Sequence, residues 1–203
     1  MALNKEYYQI IAPPMFGSKV IGETPAFDSK NVIGRIYEAS LVELTGNMNK
    51  FYIKVKLKIH KIDGFKAYTI FVGHEYTRDR IYRLVQRRSE RIDVIKDIKL
   101  KDGTKMRFKV LIIMIRNTSN SINTSVRKKA EDMLKKLVKN SDITSVVDDV
   151  LKGNYNRALK EELKKIYPVG AVEIMKTEVL KEGHEEKKIE KFKEEAPVDK
   201  TSN

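Results

Sequence analysis

Arginine is concentrated in one place in this chain. Six of its eleven arginines lie in the run Tyr76-Thr77-Arg78-Asp79-Arg80-Ile81-Tyr82-Arg83-Leu84-Val85-Gln86-Arg87-Arg88-Ser89-Glu90-Arg91, while thirty lysines are spread along the whole sequence. The difference is chemical. A guanidinium is a planar fork that meets phosphate oxygens two at a time, whereas an ammonium is a mobile point charge. Arg78, Arg80, Arg83, Arg87, Arg88 and Arg91 are therefore candidates for contact with an ordered polyanion. Two further basic sets could face the same ligand: Lys54, Lys56 and Lys58, at alternate positions, and Arg127, Lys128 and Lys129. Arg116, at the end of a predicted strand, completes the candidates. Each set also has a plainer reading as a solvated face. The arginine run has the least claim to it, because an unpartnered surface arginine gains little over lysine. Tyr52, Tyr68, Tyr76 and Tyr82 interleave these cations, either as stacking surfaces for bases or as ordinary packing.

Catalytic chemistry has no comparable signal. An enzyme needs a convergent set of reacting groups, and no phosphate-binding glycine loop, nucleophile elbow or metal-binding helix is present. Gly64 and Gly103 belong to turns, and Gly17, Gly22 and Gly34 do not fit a dinucleotide spacing. His60, His74 and His184 stand apart from one another, so each reads as a surface or packing residue. Asp148-Asp149 and Glu161-Glu162 are adjacent on predicted helices and point to different faces. The expectation is no catalytic residue, no metal, no cofactor and no small-molecule substrate.

The formal net charge is +13 and the isoelectric point about 9.6. From Glu173 onward nine acidic side chains face seven basic ones, so the positive excess belongs to the preceding body. Such a body attracts nucleic acid or an anionic membrane through counterion release. The membrane reading fails on pattern: no apolar run approaches the ~18 residues of a spanning helix, and no helix pairs a bulky aromatic face with a lysine face. Met1-Ala2-Leu3-Asn4-Lys5 lacks the apolar core of a signal peptide. Zero cysteines suit a reducing cytosol and exclude disulfides and thiolate metal sites.

The elements that must hold these cations follow from periodicity. Phe51, Ile53, Val55, Leu57 and Ile59 alternate with lysines and other polar residues, which predicts a half-buried strand from Lys50 to Ile62. Asp63-Gly64 then signals a hairpin into Phe65–Val72. The logic repeats: Ile92, Val94, Ile98 and Leu100 lead to Asp102-Gly103, and Lys105–Arg116 returns, apolar throughout Val110–Ile115 and so buried on both faces. Tyr7–Ile11 and Val32–Leu44 are further strands, joined by a loop rich in proline and glycine. Thr77 is a fitting N-cap for a helix over about 77–91, anchored by Ile81, Leu84 and Val85, with Arg80, Arg83, Arg87 and Arg91 as an outward stripe. After the polar linker from Asn117, three helices follow, the first capped by Ser125, the second by Asp142 and the third spanning Tyr155–Ile166. Val169–Leu180 is extended again and returns to the sheet. The fold class is α+β: a mostly antiparallel β-barrel of about six to seven strands, closed or nearly so, with one inserted helix and a C-terminal group of three helices. Residues 1–117 form the barrel body, 118–168 the helices and 169–182 the returning strand. Residues 183–203 carry too few apolar groups to fold and read as a disordered tail.

At these residues the chain resembles a known family. Ile33-Gly34-Arg35-Ile36-Tyr37-Glu38-Ala39-Ser40-Leu41-Val42-Glu43-Leu44, then Tyr76-Thr77-Arg78-Asp79-Arg80-Ile81, then Ile166-Tyr167-Pro168-Val169 are similar in order and spacing to the archaeal and eukaryotic small-subunit ribosomal protein S-one family (older name S-three-a-e). Lys5-Glu6-Tyr7-Tyr8 with Ala12-Pro13-Pro14-Met15-Phe16 matches its opening segment, and the likeness runs from about residue 5 to 181. Val126-Arg127-Lys128-Lys129-Ala130-Glu131 follows the family's basic helix in part. Lacking long terminal extensions, the chain looks like an archaeal member. The resemblance implies a non-catalytic constituent of the 30S subunit in the cytoplasm, on its platform. Its implied partners are ribosomal RNA near the 3′ end and neighbouring platform proteins, with messenger RNA leaving close by. The alternative is a free-standing RNA-binding translation factor. An RNA-modifying enzyme is a third reading, which the missing cofactor and metal motifs oppose.

Overall fold

The structure is a computed structural model that describes residues 5–181. Along the chain the strands are β1 (Glu6–Ile11), β2 (Val20–Ala26), β3 (Ile36–Ser40), β4 (Ile53–Asp63), β5 (Lys66–Tyr76), β6 (Glu90–Lys99), β7 (Lys105–Met114) and β8 (Val169–Lys181). The helices are α1 (Leu41–Thr45), α2 (Arg78–Leu84), α3 (Asn120–Val138), α4 (Ile143–Lys152) and α5 (Asn154–Leu163). The two hairpins fall where their turn residues put them. β4 pairs with β5 down to Asp63↔Lys66, and β6 with β7 down to Lys99↔Lys105.

Alternation along β4 places Ile53, Val55, Leu57 and Ile59 inward, all buried. On β7, Val110, Leu111, Ile112, Ile113 and Met114 are buried on both faces, as the unbroken apolar run requires, while Ile115 lies beyond the strand and is exposed. Phe51 is likewise exposed, because the chain forms a short 3-10 turn before β4 begins. The proline- and glycine-rich stretch is not all loop: Val20–Ala26 is β2, an edge strand antiparallel to β1. An edge strand tolerates Pro25, whose missing N–H costs no ladder bond there. The predicted strand Val32–Leu44 divides, because Ser40 Oγ accepts from the Val42 N–H and caps α1.

The barrel does not close. The sheet has eight strands in the order β2-β1-β5-β8-β7-β6, with β3-β4 attached to β5. β5 is the branch point. One side follows β4; the other pairs in parallel with β1 near Lys66–Tyr68 and antiparallel with β8 near Gly73–Glu75. A branched sheet leaves β2, β3 and β6 as edges. α3 packs along β6, so this edge is covered without the barrel closing on itself. β5 and β8 approach closely at Gly73, where a Cβ would sit 2.2 Å from the Thr177 carbonyl oxygen.

One buried cluster joins the sheet to all three C-terminal helices. It includes Val55, Phe71, Val94, Phe108, Ile112 and Ile174 from strands, with Val126, Leu134, Val147, Val150 and Leu159 from α3, α4 and α5. α3 starts at Asn120, before the predicted Ser125 cap. Its beginning is fixed from outside: Glu90 on β6 accepts from the Thr118 N–H at 2.6 Å and from the Asn123 amide. These bonds, the backbone one first, hold the Glu90 carboxyl below its usual range. Asp142 occupies the predicted N-cap position of α4 but makes no side-chain cap bond. Asp102 of the β6–β7 turn does so instead, accepting from the Ile143 N–H at 3.0 Å. The tail expected over 183–203 lies outside the described residues.

Candidate nucleic-acid interface

The arginine run does not form one stripe. α2 stops at Leu84, and Gln86–Ser89 is a turn closed by the Ser89 N–H to Gln86 O bond. Arg88 takes a left-handed conformation there, with φ 71°, and Arg91 already lies on β6. Helical spacing therefore relates Arg80 and Arg83 but not Arg87 and Arg91. Ile81 is the anchor, packed against the main cluster.

Arg80 points inward. Its guanidinium lies 4.6 Å over the Tyr52 ring and 3.5 Å from Glu173, and its Nε is buried without an acceptor. Glu173 also accepts from the Tyr76 hydroxyl at 3.2 Å and from the Asn156 amide at 2.7 Å. Arg80 is thus part of the packing between α2, the turn that precedes β4, and β8. Arg91 is spoken for as well, donating to Asp93 at 3.0 Å. Arg78, Arg83, Arg87 and Arg88 remain exposed and make no ion pair among the described residues.

The lysine ladder is largely neutralised. Lys54 and Lys56 stand 3.9 and 3.5 Å from Glu38 of β3, and Lys56 reaches Glu75 of β5 at 2.9 Å. Lys176 of β8 is 3.6 Å from the same Glu75 and 2.6 Å from Glu178. Burial pushes the Glu75 carboxyl up, but Lys56 and Lys176 outweigh it and hold the group below the usual range. Opposite charges thus alternate across four strands, a pattern that holds the sheet's outer face together rather than attracting a polyanion. Lys58 is exposed and without an ion pair among the described residues.

Topology gathers the free arginines at one end of the sheet. β5 ends at Tyr76 and passes into α2, while β6 begins at Glu90 opposite Met114, the end of β7. Met114 in turn faces Val169, the start of β8. The Ile115 N–H donates to Pro168 O, so exposed Arg116 stands at this same end. The Glu90 bonds bring the first turns of α3 there too. Farther along α3, Arg127 and Lys128 are exposed, and Lys129 is 4.0 Å from Glu162. Of the four tyrosines, Tyr52 and Tyr76 stack edge to face at 5.1 Å and Tyr68 is half-buried; Tyr82 is 71% exposed on α2.

Sequence reading missed a second group of cations at this end. A cleft of about 300 Å³ opens beside Tyr52 between the α4–α5 turn and β8, and Lys50, Lys152, Arg157 and Lys160 line it. Arg157 and Lys160 share α5 and Lys152 ends α4, while Lys50 comes from the turn before β4, so only folding brings the four around one cleft. His74 plays no part in the interface. It is buried between β5 and β8, its Nε2–H donates to Ile174 O at 3.0 Å and its Nδ1 accepts from the Thr177 hydroxyl at 2.7 Å. Among the described residues no three histidine, aspartate or glutamate side chains gather where they could hold a metal ion, and no helix is long and apolar enough to cross a membrane.

Comparison with known proteins agrees with the resemblance noted from the sequence. A protein named small ribosomal subunit protein eS1 from Sulfolobus acidocaldarius is 40% identical over 178 residues, covering 87% of this chain and 90% of that protein. Its namesake from Methanocaldococcus jannaschii is 38% identical, covering 87% of this chain and 80% of its own. A third, from Methanococcus maripaludis, is 36% identical over 96% of this chain and 86% of its own. These sources are archaeal. The Ribosomal S3Ae family matches residues 2–183, a span that contains the whole stretch from about residue 5 to 181 over which the likeness was read. The chain therefore belongs to the Ribosomal S3Ae family.

Proposed function

We propose that this protein is a non-catalytic constituent of the small ribosomal subunit in the cytoplasm. The end of the sheet bearing Arg78, Arg83, Arg87, Arg88 and Arg116 is its ribosomal RNA-binding surface. The family and the names of its relatives support the ribosomal assignment. The observation that carries the RNA surface is the gathering of five exposed arginines, without ion-pair partners among the described residues, at one end of a rigid sheet. Their role is to replace condensed cations on crowded phosphates, while the sheet fixes their spacing. Arg127 and Lys128 extend the surface along α3. On this reading the protein sits on the platform, against ribosomal RNA near its 3′ end and beside other platform proteins, close to the exiting messenger RNA.

The test is Arg83→Gln, Arg87→Gln and Arg88→Gln together. Affinity for small-subunit RNA should fall, and the slope of log affinity against log salt should drop by about three units, one per lost phosphate contact. Unchanged affinity at matched salt would place the RNA elsewhere. The alternative, a free-standing translation factor, predicts release of the protein when isolated small subunits are washed in high salt. A structural constituent stays bound.

A further inference from the structure

The cleft at the α4–α5 turn is not explained by the arginine surface. Four cationic side chains, Lys50, Lys152, Arg157 and Lys160, line a concave space of about 300 Å³. Two already have work in the fold. Lys50 donates to the Leu151 carbonyl at the end of α4, and Lys152 pairs with Asp148 at 2.5 Å. The side chains of Arg157 and Lys160 have no acceptor among the described residues. The carboxylate facing them, Glu173, is 17% exposed and already answered by Arg80, Tyr76 and Asn156. The cleft thus keeps an excess of positive charge, which a solvated helix face would place on open surface rather than in a hollow. Its wall is aromatic at Tyr52, whose ring carries Arg80 of the arginine run on one side. Through Arg80 the cleft adjoins α2.

We propose that this cleft holds an unpaired nucleotide of the same RNA, its phosphate bound by Arg157 and Lys160. This rests on the RNA surface proposed above and names a second contact within it. A duplex lying on α2 can be met by charge alone, but a hollow of this volume, at the lower end of ligand-sized pockets, admits only a nucleotide turned out of a helix. Cations at the mouth meet the phosphate, and Tyr52 and the neighbouring aliphatic wall meet the sugar and base.

The experiment uses the full chain carrying Arg157→Gln and Lys160→Gln, compared with the Arg83, Arg87 and Arg88 triple variant and with a charge-keeping Arg157→Lys, Lys160→Arg protein. Binding to a small-subunit RNA transcript is measured across a salt series. The inference expects about a tenfold or greater loss of affinity in the glutamine pair. The salt slope should fall by about two units, with affinity largely recovered in the charge-keeping protein. If the glutamine pair binds like the unaltered protein while the triple variant is weakened, the cleft assignment is wrong and the α2 surface stands. If neither variant changes binding, both readings fail. Inorganic phosphate or adenosine monophosphate, titrated into the unaltered protein with NMR detection, gives a further arm. Occupancy of the cleft by these small anions, with RNA affinity indifferent to the glutamine pair, overturns the inference in favour of a free phosphate site.

Discussion

His74 lies between β5 and β8 with no room for a charge. Burial pushes its pKa down from 6.5 to about 4, against a smaller upward pull from the Ile174 carbonyl and Glu75. The unfolded chain therefore takes up a proton near pH 6.5 that the folded chain refuses until about pH 4. Stability is fully present above this window and falls as pH drops through it, by about 2 kcal/mol at pH 5. Thermal melts at pH 7 and pH 5 should show the loss, and His74→Gln should remove most of the difference. Arg80 gives a second residue-scale prediction. Because it packs on Tyr52 and Glu173, Arg80→Gln should lower the melting temperature by several degrees, whereas Arg83→Gln and Arg87→Gln leave it nearly unchanged. Equal melting temperatures for all three would mean that the Arg80 contacts contribute nothing measurable.

Two elements depend on positions outside themselves. α4 begins where Asp102, across the β6–β7 turn, accepts from the Ile143 N–H, while Asp142 at the N-cap position makes no side-chain bond. Denaturant unfolding should show a loss of about 1 kcal/mol for Asp102→Ala, the usual worth of a helix cap, and a smaller one for Asp142→Ala. The reverse order would restore the local cap. The β5–β8 pairing depends on Gly73 in the same way. An alanine Cβ there meets backbone at 2.2 Å, which no rotamer change relieves. Gly73→Ala should therefore destabilise by several kcal/mol and expose the β5–β8 amides to hydrogen exchange before those of β6–β7.

For the molecule as a whole, the main buried cluster runs through the sheet and α3, α4 and α5 without a break. β8, which follows the helices in sequence, lies between β5 and β7 in the sheet. A chain threaded in this way cannot lose its helices and keep its central strands. Unfolding should be a single transition, coincident by far-ultraviolet circular dichroism and by tyrosine fluorescence, with no helical intermediate. Two separated transitions would make 1–117 and 118–168 independent units. The charge distribution acts at the same scale. Ion pairs crossing β3, β4, β5 and β8 neutralise one face, so the positive excess is expressed at the arginine end and along α3.

Strand alternation, the Asp-Gly turns, the helical face of α4 and the return of Val169–Leu180 to the sheet were legible in the sequence, because each is a local consequence of side-chain period and turn chemistry. The positive charge behind the proposed RNA surface was legible too, since charge and arginine enrichment do not depend on fold. What each arginine does was not. Arg80 and Arg83 share a helix, yet one fills the gap over Tyr52 and the other faces solvent. Arg87 and Arg91 left the expected stripe when the chain turned at Arg88. The open, branched sheet was decided by β5, which pairs with three strands, and by α3 packing along β6. Pairing preferences between distant strands leave no periodic trace in a sequence. Glu38 and Glu75 turned Lys54 and Lys56 from candidate ligands into structural ion pairs, and Arg157 and Lys160 became a cationic cleft only through the packing of α5 against β8. The sequence by itself determined that the chain carries the charge to attract an anion and where most of the strands and helices lie, both being properties of composition and short range. The tertiary structure decided which cations are free to bind it, because freedom depends on what lies across a contact and not along the chain.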